Sequence, residues 1–404
     1  MRLPGHHGGA GTTPVSPTIP WERYAPSAIL SAALTAARRC RASLVAWREP
    51  GTRQLYLQLS FGEATRRVVS DRLPAGFVYS PFHGVQGRAW FLPAQLLLVF
   101  RDDRLLDARA EDPARLAHFL GTLATYLGAG TAHHVATDLP DEDAGRAAFL
   151  SLVARGLREI HDHALRKVVL ARTGTVPLPA GFDAVAWFLR LSRQQPQHFV
   201  SLLSSPTAGT WVGCSPELLL AMDPPGMRTM ALAGTVPVGR DWSGKEREEQ
   251  ALVSEFIRDS LRQLELGGVE EAPVQDMAVG HFRHLRNDFH IRLDHTRRVA
   301  GAFTRLLARL HPTPALCGLP RTAALAFIRH HEGFDRRLYG GYLGPCNIEP
   351  GHTRLYVNIR CMELLPRHGR LYLGAGITAE SDPEAEWRET CLKSRTLLDS
   401  LSGG

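Results

Sequence analysis

The stretch AESDPEAEWRETCLKSRTLLDS, residues 379–400, spaces Glu386, Glu389 and Lys393 at offsets of 3, 4 and 7. On a helix that spacing puts all three on one face. Two carboxylates and an ammonium aligned in this way can hold a cation and an anion side by side. A solvated face with a Glu389–Lys393 pair satisfies the same spacing, so the local pattern leaves both readings open. Ser381 as N-cap, Pro383 in the first turn and Glu384 three residues after the serine predict where the helix begins.

Other segments carry groups able to move protons or hold anions. In RKVVLAR a strand would turn Lys167, Val169 and Ala171 one way and Val168, Leu170 and Arg172 the other. A lysine among such neighbours is a candidate for burial, and a buried amine that loses its proton can act as a base. An edge-strand lysine with its amine in water fits the same letters. In CSPELLL, Glu217 follows Pro216 and precedes three leucines. A carboxyl in apolar surroundings keeps its proton to higher pH, whereas a strand-start glutamate pointing outward does not. KEREEQALVSEF carries Glu246, Glu248, Glu249 and Glu255, of which one suits a metal and the rest a solvated face. VNIR predicts Arg360 on the strand face of Asn358 and Tyr356, where a guanidinium can clamp a carboxylate. His281, His284, His290 and His295 match no familiar metal-ligand spacing.

These groups need elements to position them. Strand-like runs predict several strands before residue 137, then RKVVLARTGTV, HFVSLLSS, GTWVGCSPELLLAM, TMALAGTVPVG, TRLYVNIRCMELL and RLYLGAGIT. Helical periodicity predicts helices in SAILSAALTAARRC, after residue 146, over 244–266 and at the C-terminal end. Strands in runs with helices between them predict an α+β fold with large antiparallel sheets. GAGITA lacks the third glycine of a dinucleotide-binding turn. Residues 1–20, rich in Gly, Pro and Thr, read as a disordered tail, and TDLPDEDAGR (137–146) as a linker between an N-terminal part (21–137) and a catalytic part (147–400).

The chain has 404 residues, 44% of them apolar, and a net charge of +7. Its basic residues form no block, which argues against a nucleic-acid arm and suits a small anionic substrate. Six scattered cysteines without a C-x-x-C pair predict free thiols in a reducing compartment. No run is apolar enough for a membrane span or a secretory leader, so a cytoplasmic protein is expected.

Nine segments in order, KVVLAR, GCSPELLL, LAGT, KEREEQALV, LHPTPALCGLP, FDRRLYGGYLG, YVNIRC, LYLGAGI and EWRETCLKS, resemble the chorismate-utilising enzymes and, within them, the isochorismate synthases. The resemblance covers about residues 147–400. It implies two stacked antiparallel sheets with outer helices, as in anthranilate synthase component I, and an active site between them. It implies Lys167 as the general base that activates water for attack at C2 of chorismate, and Glu217 as the general acid at the departing C4 hydroxyl. It implies one Mg²⁺ held by Glu249 and Glu389 with Glu386 near it. Arg360 and Lys393 match binders of the substrate carboxylates, Gly234, Thr235, Gly374 and Gly376 match backbone close to the ligand, and His311 and Tyr339 match walls. Gln250 stands where relatives often have His, and Arg337 where they can have Glu.

HPTPA and CGLPR look like the water-using branch, so no glutaminase subunit is expected, and the product would feed menaquinone or siderophore synthesis. A salicylate synthase, an aminating synthase and a non-catalytic chorismate-binding protein are the alternatives. A monomer or weak homodimer is expected, without nucleic-acid or membrane partners.

Overall fold

The structure is a computed structural model. It describes residues 13–14, 24–102, 104–111, 113–128, 130–135, 145–266, 268–279, 282–293 and 301–402. Most of the expected tail, residues 137–144 of the expected linker, His281 and His295 lie outside these residues. Thr13–Pro14, inside the expected tail, forms a short strand against Arg109 and Ala110.

Among the described residues, two antiparallel sheets, one of eleven strands and one of ten, make up the fold. The central strands are buried on both faces, and alternation decides which side each residue serves. In Ser43–Arg48, Val45 and Trp47 join the core between the sheets, while Leu44 and Ala46 join a second core beneath the helices. Helices Pro26–Arg39, Pro113–Thr125, Ala184–Gln194 and Pro383–Ser402 contribute to that second core, with Leu34, Phe119, Trp187 and Leu397. Between the sheets, Trp47 meets Phe77 at 5.4 Å and Phe199 stacks on Tyr356 at 4.1 Å. Gly244–Gln263 and Ala302–Leu310 pack on the ten-stranded sheet. Each such apolar side chain contributes about 1.5–3 kcal/mol when buried.

Both sheets draw strands from either side of residue 140. Ser43–Arg48 pairs with Phe199–Ser205 in one, and Gly76–Ser80 pairs with Tyr342–Cys346 in the other.

Two stretches expected as single strands are each divided between the sheets. Gly209–Ser215 belongs to the eleven-stranded sheet and Leu218–Asp223 to the ten-stranded one. Likewise Thr353–Val357 and Cys361–Leu364 lie in different sheets. The two crossings run side by side: Val357 N donates to Glu217 O at 3.0 Å, and Cys214 N to Arg360 O at 3.0 Å. Arg360 therefore sits on no strand face shared with Tyr356. It occupies the crossing, with φ of +49°.

Candidate functional site

The cavity opens at these crossings. It encloses about 690 Å³, part of it open to solvent. Glu217, Ile359 and Arg360 enter from the crossings, Val169, Tyr372, Leu373, Gly374 and Gly376 from adjacent strands, and Glu249, Glu389 and Lys393 from two helices. No helix among the described residues is long and apolar enough to cross a membrane.

Strand Lys167–Pro177 positions groups with both faces. Lys167 is fully buried just behind the lining, its Nζ 2.9 Å from Glu249 Oε1 but off the direction of a hydrogen bond. On the opposite face Arg172 lies 4.0 Å from the Trp387 ring and donates from Nε to Thr390 Oγ1 at 2.8 Å. That grip on helix Pro383–Ser402 fixes the face bearing Glu386, Glu389 and Lys393. The helix begins differently from expectation: Ala385 N donates to Asp382 Oδ1 at 2.8 Å, and Ser381 Oγ accepts from Thr378 N. The aspartate adjoins the first helical residue, so it caps in the serine's place.

Glu217 is 3% exposed. Burial pushes its carboxyl up to about 8, although nearby Lys167 pulls the other way. It therefore holds a proton at neutral pH. Burial also pushes Glu249 up, but Lys167, Lys245 and Lys393 outweigh it and keep Glu249 ionised. Lys393 Nζ lies 2.6 Å from Glu389 and donates to Gly374 O at 2.9 Å. The exposed-helix value of such an i,i+4 pair, about 0.2–0.5 kcal/mol, is too small to explain the helix's placement. Arg360 donates to Thr396 Oγ1 at 3.0 Å, and desolvation lowers its guanidinium without discharging it.

The surroundings come close to the backbone at the site glycines. A methyl group at Gly376 would overlap Glu249 Oε1, and one at Gly374 would overlap the Tyr339 hydroxyl. Gly234 sits at a strand irregularity with φ of +74°, where a Cβ would come 2.9 Å from Glu246 O. Tyr339 stacks with Tyr372 along one wall, the rings 5.8 Å apart.

Some expected residues fall elsewhere. His311 is outside the lining: it caps helix Ala302–Leu310 and packs edge-on against Tyr342. Gln250 turns away to bond Ser254 Oγ at 2.9 Å, and Arg337 pairs with Glu363 at 3.0 Å. Of the four glutamates in 246–255, Glu249 alone lines the cavity. Two residues were given no role from the sequence. His284 lines the cavity with Nδ1 3.2 Å from Thr235 Oγ1. Burial, Arg360 and Lys393 lower its imidazole to about 3, so it is neutral. Lys245 reaches from its helix to Glu386. Its place four residues before Glu249 was a signal, but nothing local points to Glu386.

Three carboxylates, Glu249, Glu386 and Glu389, all act on the Lys245 ammonium. Glu386 is fully buried, and its Oε2 has no hydrogen bond of good geometry. Burial and the Glu389 charge push its carboxyl up. An all-oxygen acidic wall with an unsatisfied buried oxygen fits a hard divalent cation. The wall is not drawn together: among the described residues no three metal-ligating side chains converge. Each carboxylate instead faces a lysine, Glu249 with Lys167, Glu386 with Lys245 and Glu389 with Lys393.

Comparison with known proteins agrees with this architecture. Residues 122–402 match the family model described as chorismate binding enzyme. The salicylate biosynthesis isochorismate synthase of Pseudomonas aeruginosa is 36% identical over 274 residues, covering 64% of this chain and 55% of that protein. Isochorismate synthase EntC of Escherichia coli is 33% identical over 266 residues, covering 63% of this chain and 67% of that protein. The match thus spans little more than half of the first relative and two thirds of the second. Among solved structures, the menaquinone-specific isochorismate synthase MenF of Escherichia coli shares the fold with a TM-score of 0.72 at 23% identity, covering 92% of this chain and 91% of that one. Anthranilate synthase component I of Streptococcus pneumoniae shares it at 0.62 and 16% identity, covering 98% of this chain and 95% of that one. With the family model matched over well over half of its length, the chain belongs to the chorismate-binding enzymes.

Proposed function

We propose that the protein is a Mg²⁺-dependent isochorismate synthase, adding water at C2 of chorismate and expelling the C4 hydroxyl. The observation that carries this reading is Glu217, a buried carboxyl still protonated near neutral pH, within electrostatic reach of buried Lys167. Water is a poor nucleophile and hydroxide a poor leaving group, so the exchange needs a base and an acid. Lys167 serves as the base that takes a proton from the attacking water. Glu217 gives its proton to the C4 oxygen, which leaves as water. An ammonium and a carboxylate remain, and return of the proton resets the site.

Arg360 and Lys393 bind the carboxylates of the dianion. Thr235 and Tyr339 shape the walls, while Gly234, Gly374 and Gly376 keep the backbone close. His311 is not among the lining residues and is given no role. Glu249 and Glu389 would hold Mg²⁺, with Glu386 beside them. When bound, the ion neutralises the ring carboxylate.

Purified protein incubated with chorismate and Mg²⁺ should form isochorismate without salicylate, resolved by chromatography, and excess EDTA should stop the reaction. Salicylate with pyruvate would identify a salicylate synthase. No turnover with water or ammonium would overturn the reading. Glu389→Ala should raise the Mg²⁺ concentration needed for half-maximal rate at least about tenfold. An unchanged Mg²⁺ dependence would refute its role as a ligand.

A further inference from the structure

Lys245 has no role in the reaction derived above, yet Glu386, Glu389 and Glu249 all act on its ammonium. It lies four residues before Glu249 on helix Gly244–Gln263, so the two share a face. Its ammonium does not take Glu249, which faces Lys167. It crosses to Glu386 on the C-terminal helix, 141 residues away. The Lys245 side chain is 15% exposed and that of Glu386 is 1% exposed. A carboxylate so deeply buried is costly without a compensating charge. Lys167 and Lys393 already face Glu249 and Glu389, so Lys245 is the cation that neutralises Glu386.

We propose that Lys245 is the resident counter-cation of the acidic wall, competing with a divalent ion for Glu386 and so weakening metal uptake by the free protein. This rests on the metal-dependent reading above. A positive charge beside a divalent ion in a poorly hydrated site is strongly repulsive. Metal can enter only as Lys245 yields its carboxylate or as the ion binds without Glu386. Either way, the lysine keeps the wall intact and charge-compensated until the ion arrives. A plain structural tether between the two helices makes the opposite forecast: without the lysine the carboxylates would separate, and metal would bind more weakly.

The test is Mn²⁺ binding to the full-length protein without substrate, measured from the electron paramagnetic resonance signal of free Mn²⁺. Lys245→Met should bind Mn²⁺ at least about tenfold more tightly than the wild type. Lys245→Arg, which keeps the charge, should stay within about threefold of the wild type. Lys245→Gln, able to hydrogen-bond Glu386 without a charge, should also tighten binding and serves if the methionine variant fails to fold. Unchanged or weaker binding in folded uncharged variants overturns the proposal. If no form binds Mn²⁺ even with chorismate present, the metal-dependent reading itself falls, and this proposal with it.

Discussion

Glu217→Gln is expected to lower the turnover of chorismate by about 10³-fold, within the range for losing a general acid. The amide is nearly isosteric and has no proton to give. The pH profile should show the same group. Glu217 keeps its proton until about pH 8, so the wild-type rate should fall as pH rises through that value. A rate that stays level to pH 9.5 would remove Glu217 from the role of acid. Stability gives an independent readout. The folded carboxyl is raised above its unfolded value of about 4.3. The folded state therefore binds the proton more tightly, so stability falls as pH rises from about 4.3 to about 8 and levels off above that. Glu217→Gln should be more stable than the wild type at pH 9, by on the order of 1–3 kcal/mol, and close to it at pH 5. Inactivity combined with that gain separates a lost acid from a damaged fold. Lys167→Ala provides the matching loss on the side of the base.

Arg336→Met should destabilise the protein by about 3–5 kcal/mol, the usual cost of removing one partner from a buried ion pair. Arg336 is fully buried and bonds Glu332 from Nε at 2.7 Å. It also donates to Leu316 O at 2.8 Å and Val169 O at 2.7 Å, and lies 4.2 Å from the Phe82 ring. Glu332 in turn accepts from Ala171 N at 2.8 Å. The pair thus clamps the strand that carries Lys167 to the loop that forms one wall. Losing the guanidinium leaves a carboxylate buried without its cation. The double variant Arg336→Met, Glu332→Leu should recover part of the loss, because it removes the orphaned charge as well. Denaturant midpoints with a constant m-value measure both effects. A single variant within about 1 kcal/mol of the wild type would show that the pair does not hold the strand.

Much of the candidate site was legible from residue types and their order. Lys167, Glu217, Glu249, Arg360, Glu389 and Lys393 stand in motifs whose succession carries the family resemblance, and the structure gathers them around one cavity. Helical periodicity placed Arg146–His161 and Gly244–Gln263 to within a few residues. Strand breaks were not legible. A strand buried on both faces reads as a continuous apolar run, so 209–223 and 353–364 show no period change where the chain passes between sheets. Pro216 and Asn358 were the only local hints. His311 misled because its loop belongs to a site motif, while its ring turned into the core against Tyr342.

By itself, the sequence determined the candidate groups, their order and the helix face that unites Glu389 with Lys393, because these depend on covalent spacing and the helical repeat. Only the tertiary structure decided that Glu217 is buried enough to keep its proton, that Arg360 sits at a crossing, and that Lys245 reaches Glu386. Charge state and pairing depend on desolvation and on partners distant in the chain, and no local pattern encodes either.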